Sequence, residues 1–302
     1  MARIVVTGGA GFVGARLVRA LVAAGDEVVV IDDLSGGSAS ALPPGVHLQV
    51  ADVRERGWGA LIEGADRLYH LASPMGVRRA HREGASVVRA IVEAGLVVAT
   101  LCRESGVPLV YTSSSEVYGR AATGIDATPR WSYAAGKLAV EHLFLAADAG
   151  ISSVHVARLF NVVGPGQRTG EGHVLPSFAA AAAREEPLVV HGDGTARRVF
   201  LHVDDAVEAL RLLAAAPALA GRPVDIGGDV ELTIRALADR VAARVPGATV
   251  THTPAEQVFG PGFVQVERRV PDLGPLRDRG WAPRRGLDEA ITAALQEAGC
   301  PA

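Results

Sequence analysis

Two cysteines in 302 residues, Cys102 and Cys300, leave no material for a disulfide framework, and without a C-x-x-C spacing they suggest no zinc site. Cys102 reads as a small core residue. Aromatic residues are also sparse, at 5%, while alanine, valine and leucine dominate. That balance favours a helix-covered parallel sheet over an aromatic-rich sandwich. An excess of one charge is missing too: the formal net charge is −3 and the signs are mixed along the chain, so no basic stripe points to nucleic acid. No uninterrupted apolar run reaches the ~18 residues of a membrane span. No charged-then-apolar leader precedes Met1–Val6, which already reads as a strand. The expectation is a protein of the reducing cytoplasm with no membrane and no nucleic-acid partner. His70 and His202 belong to no metal-ligand spacing, so no metal is expected.

What is present is alternation. With 49% apolar and 21% charged residues, a full core can be buried. Short β-type runs at Arg3–Val6, Glu27–Ile31, His47–Val50, Arg67–Leu71, Leu109–Ser113 and Val154–Phe160 are separated by helix-period segments such as Ala15–Ala24 and Ser86–Glu104. Leu17, Val18, Leu21 and Val22 share one helical face, and Gly25 follows where the helix should stop. Strand–helix–strand alternation predicts a Rossmann-type, doubly wound parallel sheet with right-handed crossovers. Past Asn161 the pattern loosens, with short strands at Leu188–His191 and Val224–Ile226 and Ala-rich helical stretches at 179–183 and 214–220. The expected division is an α/β fold in which residues 1–161, joined by parts of 195–228, form the dinucleotide-binding domain. Residues 162–302 then mainly form a smaller α/β substrate-binding lobe.

Thr7-Gly8-Gly9-Ala10-Gly11-Phe12-Val13-Gly14 joins the first strand to the first helix. In such a turn Gly8 permits the tight bend, Gly11 lets the backbone approach a pyrophosphate, and Gly14 lets helix and strand pack closely. Phe12 and Val13 open the helix, whose N-terminus offers N–H donors and partial positive charge to phosphates. Asp32, at the tip of the second strand, suits a ribose diol and repels a 2′-phosphate, which favours NAD over NADP. Asp33 can share that task, and Asp52, expected to end the third strand, is a candidate neighbour of the adenine.

Tyr133 and Lys137 lie one helical turn apart on a segment opening at Ser132, so they share a face. A Lys137 cation, with an oxidised nicotinamide nearby, is expected to lower the Tyr133 pKa so that the phenolate acts as base. Thr112-Ser113-Ser114-Ser115-Glu116-Val117-Tyr118-Gly119 falls at the carboxyl end of the fifth strand, where open parallel sheets bind ligands. A hydroxyl from that strand end can hold the substrate oxygen that Tyr133 deprotonates.

Together with Arg158-Leu159-Phe160-Asn161-Val162-Val163-Gly164-Pro165, these segments resemble the extended short-chain dehydrogenases that epimerise, dehydrate or decarboxylate nucleotide sugars. The similarity runs from Ile4 to about Ile291. It implies NAD as cofactor, a UDP-sugar as substrate and a homodimer. It also implies that Ser114 partners Tyr133, that Asn161 and Arg198 hold the substrate diphosphate, and that Leu71, Ser73 and Ser115 line the cofactor and sugar. A guanidinium suits phosphate oxygens because its donors form a planar fork.

Three further stretches look most like the UDP-glucuronate decarboxylase (UDP-xylose synthase) branch: His70-Leu71-Ala72-Ser73-Pro74, residues 186–194, and Arg269-Val270-Pro271-Asp272. By that resemblance Glu116 works at C5 of the sugar and Arg269 reaches the sugar carboxylate. Dehydratases more often carry Asp where Ser115 stands. Val92 and Val98 occupy places where many relatives carry Asn, and Trp131 one where smaller residues are common. The expected activity is oxidation at C4, loss of carbon dioxide, and release of UDP-xylose or a UDP-4-keto-pentose. A UDP-sugar 4,6-dehydratase or a UDP-glucuronate 4-epimerase is the alternative on the same parts, and a non-catalytic NAD(H)-sensing protein is the remote one.

Overall fold

The fold is that of a computed structural model, which describes residues 1–74, 83–120, 124–168, 173–260 and 265–300. Its strands in chain order are β1 (Arg3–Thr7), β2 (Glu27–Asp32), β3 (His47–Val50), β4 (Arg67–His70), β5 (Leu109–Ser114), β6 (Val154–Leu159), β7 (Val162–Val163), β8 (Leu188–His191), β9 (Arg197–Val199), β10 (Leu201–His202), β11 (Pro223–Ile226), β12 (Glu231–Thr233), β13 (Val250–Thr253) and β14 (Arg268–Arg269). The longer helices are α1 (Phe12–Ala23), α2 (Gly84–Ser105), α3 (Ser132–Leu145), α4 (Val174–Ala183), α5 (Val203–Ala214) and α6 (Ile234–Ala242), and Leu287–Glu297 forms the last.

Seven strands form one sheet in the order β3-β2-β1-β4-β5-β6-β11, every neighbouring pair parallel. Successive strand residues point to opposite faces. Ile4, Val6, Val28 and Val30 therefore pack under α1 and α5, whereas Val5, Val29 and Ile31 pack under α2 and α3. Burial on both faces explains why the central strands β1 and β2 read as apolar runs, IVV and VVVI, whereas the edge strand β3 is largely exposed. The chain order reverses direction between β1 and β4, the point at whose carboxyl-end side open parallel sheets bind their ligands.

Helix α2 is long and apolar enough, by length and composition alone, to cross a membrane. Here its Val87, Ile91, Val98 and Cys102 are buried in the core between sheet and α3.

Several details differ from the sequence-based expectation. β11, from the 195–228 stretch, joins the large sheet beside β6; what differs is that Leu273, Leu276 and Trp281, from the part assigned mainly to the smaller lobe, pack into the same core as α1 and α5. β3 stops at Val50, so Asp52 lies on the following turn rather than at the strand end. The Ala-rich stretch after α5 is not helical throughout: the helix ends at Ala214, and Pro217, which has no N–H to continue it, opens a 3-10 turn at Pro217–Leu219.

Beyond the sheet, α4, β8, α6 and the last helix enclose a second core around Leu175, Phe178, Leu188, Leu237 and Ile291. Three short strands, β12-β9-β14, form a separate small sheet, with Arg269 directly beside Arg198 in the parallel β14–β9 pair.

Candidate active site

The turn after β1 is built by close approaches that exclude side chains. Gly8 has φ +73°, and a Cβ there would lie 2.5 Å from the Ala72 nitrogen. A Cβ on Gly14 would lie 2.0 Å from the Gly8 carbonyl oxygen, so only glycine lets α1 pack on this turn. Gly11 is different: a Cβ there would meet only the Gly8 oxygen at 3.3 Å, and the space beside it is open. Gly11 caps α1 with no side-chain bond to the first-turn N–H groups, which Phe12 and Val13 begin. An open cradle facing uncapped N–H donors is what a pyrophosphate requires.

Asp32 is buried at the tip of β2, where its two oxygens accept from the Ala10 and Leu34 N–H groups at 2.9 and 2.8 Å. Those bonds fix the carboxylate at the rim of the cradle, and each oxygen keeps a lone pair for a ribose hydroxyl. The residues therefore fit a dinucleotide. Asp33 instead closes its own turn on Ser35, and Asp52 is bound to the Arg54 guanidinium. Leu71 donates its N–H to the Thr7 carbonyl at 3.0 Å, at the carboxyl ends of β1 and β4, and Ser73 lies just beyond it with its hydroxyl on the Pro74 carbonyl. His70 is buried against Thr7 Oγ1 at 2.7 Å, and burial followed by the Lys137 charge pushes its pKa down to about 3, so it is a neutral structural ring.

The reacting groups converge at the end of β5. Ser114 Oγ accepts from the Glu116 N–H at 3.2 Å and hydrogen-bonds Tyr133, the second residue of α3. Lys137, one turn along α3, is buried and donates to the Thr112 carbonyl at 2.8 Å. Burial lowers its pKa to about 7, opposed by the nearby Glu141. The Tyr133 pKa is expected to fall when Lys137 acts together with an oxidised nicotinamide; in the free protein it is raised. Burial, reinforced by the Glu116 charge, raises the phenol well above its ordinary value, and the Ser114 bond only partly offsets this. With its ammonium engaged by a backbone carbonyl, Lys137 does not overcome that burial. The added positive charge of an oxidised nicotinamide is what remains to favour the phenolate.

Facing these groups is a cluster whose membership the sequence showed only in part. Glu116 stands on the 3-10 turn Ser115–Tyr118, with Ser115 buried beside it. One Glu116 oxygen accepts from Arg269 Nη1 and the other from Arg130 Nη1 at 2.9 Å. Burial alone would raise the carboxyl, but the two guanidiniums hold it at about 2. Arg198 lies close enough that burial and repulsion from Arg269 and Arg130, eased by Glu116, bring its pKa to about 10. Three cations thus surround one anion, and the surplus is positive. Arg269 is 6% exposed, and its Nε and Nη2 have no hydrogen-bond partner among the described residues. Two buried, unpaired donors on one edge of a guanidinium form a fork for a planar anion.

Asn161, at φ +34°, spends its amide nitrogen on the Val199 carbonyl at 2.8 Å, so in this structure it steadies β9, the strand carrying Arg198. Arg130 was missed by sequence reasoning, although it lies three residues before Tyr133. Its guanidinium stacks on buried Trp131 at 4.5 Å, which gives that large side chain a place here.

The profile described as the NAD dependent epimerase/dehydratase family matches residues 4–227. UDP-glucuronic acid decarboxylase 1 of Arabidopsis thaliana is 31% identical over 312 residues, covering 98% of this chain and 69% of that protein. A solved NAD-dependent NDP-hexosamine 5,6-dehydratase involved in tunicamycin biosynthesis is 30% identical, with a TM-score of 0.84 and coverage of 97% and 96%. The UDP-glucose 4-epimerase of Thermus thermophilus, solved in complex with NAD, is 27% identical, with a TM-score of 0.83 and coverage of 98% of each chain. Relatives with different chemistries share one scaffold, and the matched region holds the glycine turn, Ser114, Glu116, Tyr133, Lys137 and Arg198. On fold, site and similarity alike, this chain belongs to the NAD-dependent epimerase/dehydratase family of extended short-chain dehydrogenases.

Proposed function

We propose that the protein is a UDP-glucuronate decarboxylase that oxidises the sugar at C4, expels the C6 carboxylate as carbon dioxide, and releases UDP-xylose or a UDP-4-keto-pentose. The observation that carries this reading is Arg269, buried, bound to Glu116 through one nitrogen and left with two unpaired donors. A 4-epimerase of a neutral sugar works at C4 alone, and a dehydratase expels a neutral hydroxyl, so neither needs an anion fork at C6; a UDP-glucuronate 4-epimerase would share the fork and is separated from a decarboxylase by its six-carbon product. A decarboxylase must hold an anionic group there and then release it uncharged. The similarity to a protein named UDP-glucuronic acid decarboxylase supports the same reading.

The glycine turn and Asp32 would hold NAD, which would supply a hydride acceptor for C4 and, where UDP-xylose is the product, a hydride donor to it. Tyr133 takes the proton of the 4-hydroxyl while Ser114 holds the same oxygen. Oxidation makes C4 a ketone β to the carboxylate, so the electrons of the breaking C5–C6 bond can pass into an enolate. Lys137, whose pKa burial brings to about 7, would hold a partial positive charge near that oxygen. Arg269 orients the carboxylate through its Nε/Nη2 edge. Glu116 is ionised and carries no spare proton in the free protein, so its part is to aim Arg269 and line C5. Incubation with NAD and a panel of sugar nucleotides, followed by product mass, tests the proposal. A pentose product from UDP-glucuronate supports it, while an acidic hexose epimerised at C4, or water loss from UDP-glucose or UDP-N-acetylglucosamine, hands the protein to another branch.

Two expectations follow for the binding residues. Asp32 leaves no room or charge for a 2′-phosphate, so NAD should bind roughly tenfold or more tightly than NADP by calorimetry. Equal affinities would remove Asp32 from the ribose. Arg198→Ala should raise the Michaelis constant for the sugar nucleotide more than it lowers turnover, since loss of a charge-assisted pair with the diphosphate costs roughly 1.5–3 kcal/mol. An unchanged Michaelis constant would mean that Arg198 does not touch substrate.

A further inference from the structure

The Glu116–Arg269 pair joins two segments far apart in sequence, and neither is a regular element of the large sheet. Glu116 sits on a single 3-10 turn, and Arg269 on a two-residue strand at the edge of the small sheet. Short segments of this kind do not fix a side chain by themselves. Both are tied to one residue. Asp225, on β11 and 8% exposed, accepts at Oδ1 from the Tyr118 hydroxyl at 2.7 Å and at Oδ2 from the Asp272 N–H at 3.0 Å. Tyr118 ends the turn that carries Glu116, and Asp272 follows Arg269-Val270-Pro271.

Neighbouring contacts tighten the same bracket. A Cβ on Gly227, just past β11, would lie 2.8 Å from Pro271 Cγ, so the Arg269 segment is pressed against the strand end. On the other side, the Arg158 guanidinium lies 4.7 Å over the Tyr118 ring and also binds Glu141. Glu141 is one helical turn beyond Lys137 on α3. The base helix, the Glu116 turn and the Arg269 segment are thus connected through Asp225, Tyr118 and Arg158.

We propose that Asp225 is a positioning residue for substrate selection: its two oxygens hold the Glu116 turn and the Arg269 segment in register, so that the free edge of Arg269 faces the sugar carboxylate. This inference rests on the decarboxylase reading. Asparagine at this position can reproduce both bonds, with its oxygen accepting from Asp272 N–H and its NH2 donating to the Tyr118 oxygen. Alanine reproduces neither.

The test is calorimetric binding of UDP-glucuronate and UDP-glucose to the NAD-loaded protein and its variants. Asp225→Ala should reduce the preference for UDP-glucuronate about tenfold, with NAD affinity unchanged, and Asp225→Asn should retain most of it. Tyr118→Phe, which removes only one bond of the bracket, should lose part of the preference and covers the case in which Asp225→Ala fails to fold. Asp225→Ala combined with Arg269→Ala should show no less preference than Arg269→Ala alone, because Asp225 acts through Arg269. A preference intact in both Asp225→Ala and Tyr118→Phe, or in Tyr118→Phe when Asp225→Ala does not fold, overturns the inference and leaves the proposed activity standing. A wild-type protein without any preference overturns the activity first, and the inference with it.

Discussion

Tyr133→Phe is expected to cut oxidation at the sugar C4 by at least about 10²-fold while NAD binds nearly as well as in the wild type. The substitution keeps the ring and its packing and removes only the hydroxyl, so a loss reports on the proton and not on the fold. Ser114 remains, but a serine hydroxyl bound to the Glu116 N–H is no base at neutral pH. Lys137 does not replace the phenolate either, since its ammonium is buried on the Thr112 carbonyl. The phenol of the free protein is a poor acid because burial and Glu116 both oppose its ionisation. Single-turnover formation of reduced nicotinamide should therefore be slow in the variant and should rise with pH in the wild type. Turnover by Tyr133→Phe at the wild-type rate would assign the deprotonation to another group.

The second large effect is expected at the Glu116–Arg269 pair. Arg269→Ala removes the anion fork and should reduce the preference for UDP-glucuronate over UDP-glucose by roughly 10- to 100-fold, the loss of a charge-assisted bond. It also removes the stronger of the two attractions that hold the Glu116 carboxyl down, so the Glu116 pKa should rise. The sign follows from which form each state favours. In the wild type, Glu116 is ionised above a pKa of about 2, and the pair adds stability above the ordinary value of 4.5 that is lost as pH falls toward 2. In Arg269→Ala the lower edge of that window should rise toward 4.5, so the pair's stabilisation shrinks and stability should depend less on pH across it. Glu116→Gln should slow carbon dioxide release more than hydride transfer, so that reduced nicotinamide accumulates early in a single turnover. A Glu116→Gln protein that loses both steps equally would assign the residue to C4 chemistry instead.

The parts legible in the sequence are those encoded locally. The glycine turn, the six leading strands and the Tyr133–Lys137 spacing each occupy one short segment whose pattern carries its own physics. What escaped is the pairing of segments far apart in the chain. Arg198 and Arg269 are neighbours only because β9 and β14 align in register, and no periodicity in either segment announces that. Parts of 195–228 are expected to join the large sheet's domain, but the place of β11 directly beside β6 rests on packing that no local pattern announces. Asp225 could not be read as a bracket because both of its donors, Tyr118 and Asp272, are distant in sequence. Arg130 is the instructive exception. It lies on the turn that opens α3, beside the expected base, but an arginine there has no spacing signature, and only the fold turns it toward Glu116.

On the proposed activity, the carbon lost is C6 of a uronate held by Arg269. The most direct measurement is a reaction of the NAD-loaded protein with UDP-glucuronate carrying an isotopic label at C6, with the label followed into gas and nucleotide sugar. The account predicts labelled carbon dioxide and an unlabelled UDP-pentose, with both diminished in Arg269→Ala. Label retained in a six-carbon product, with no labelled carbon dioxide, would contradict it.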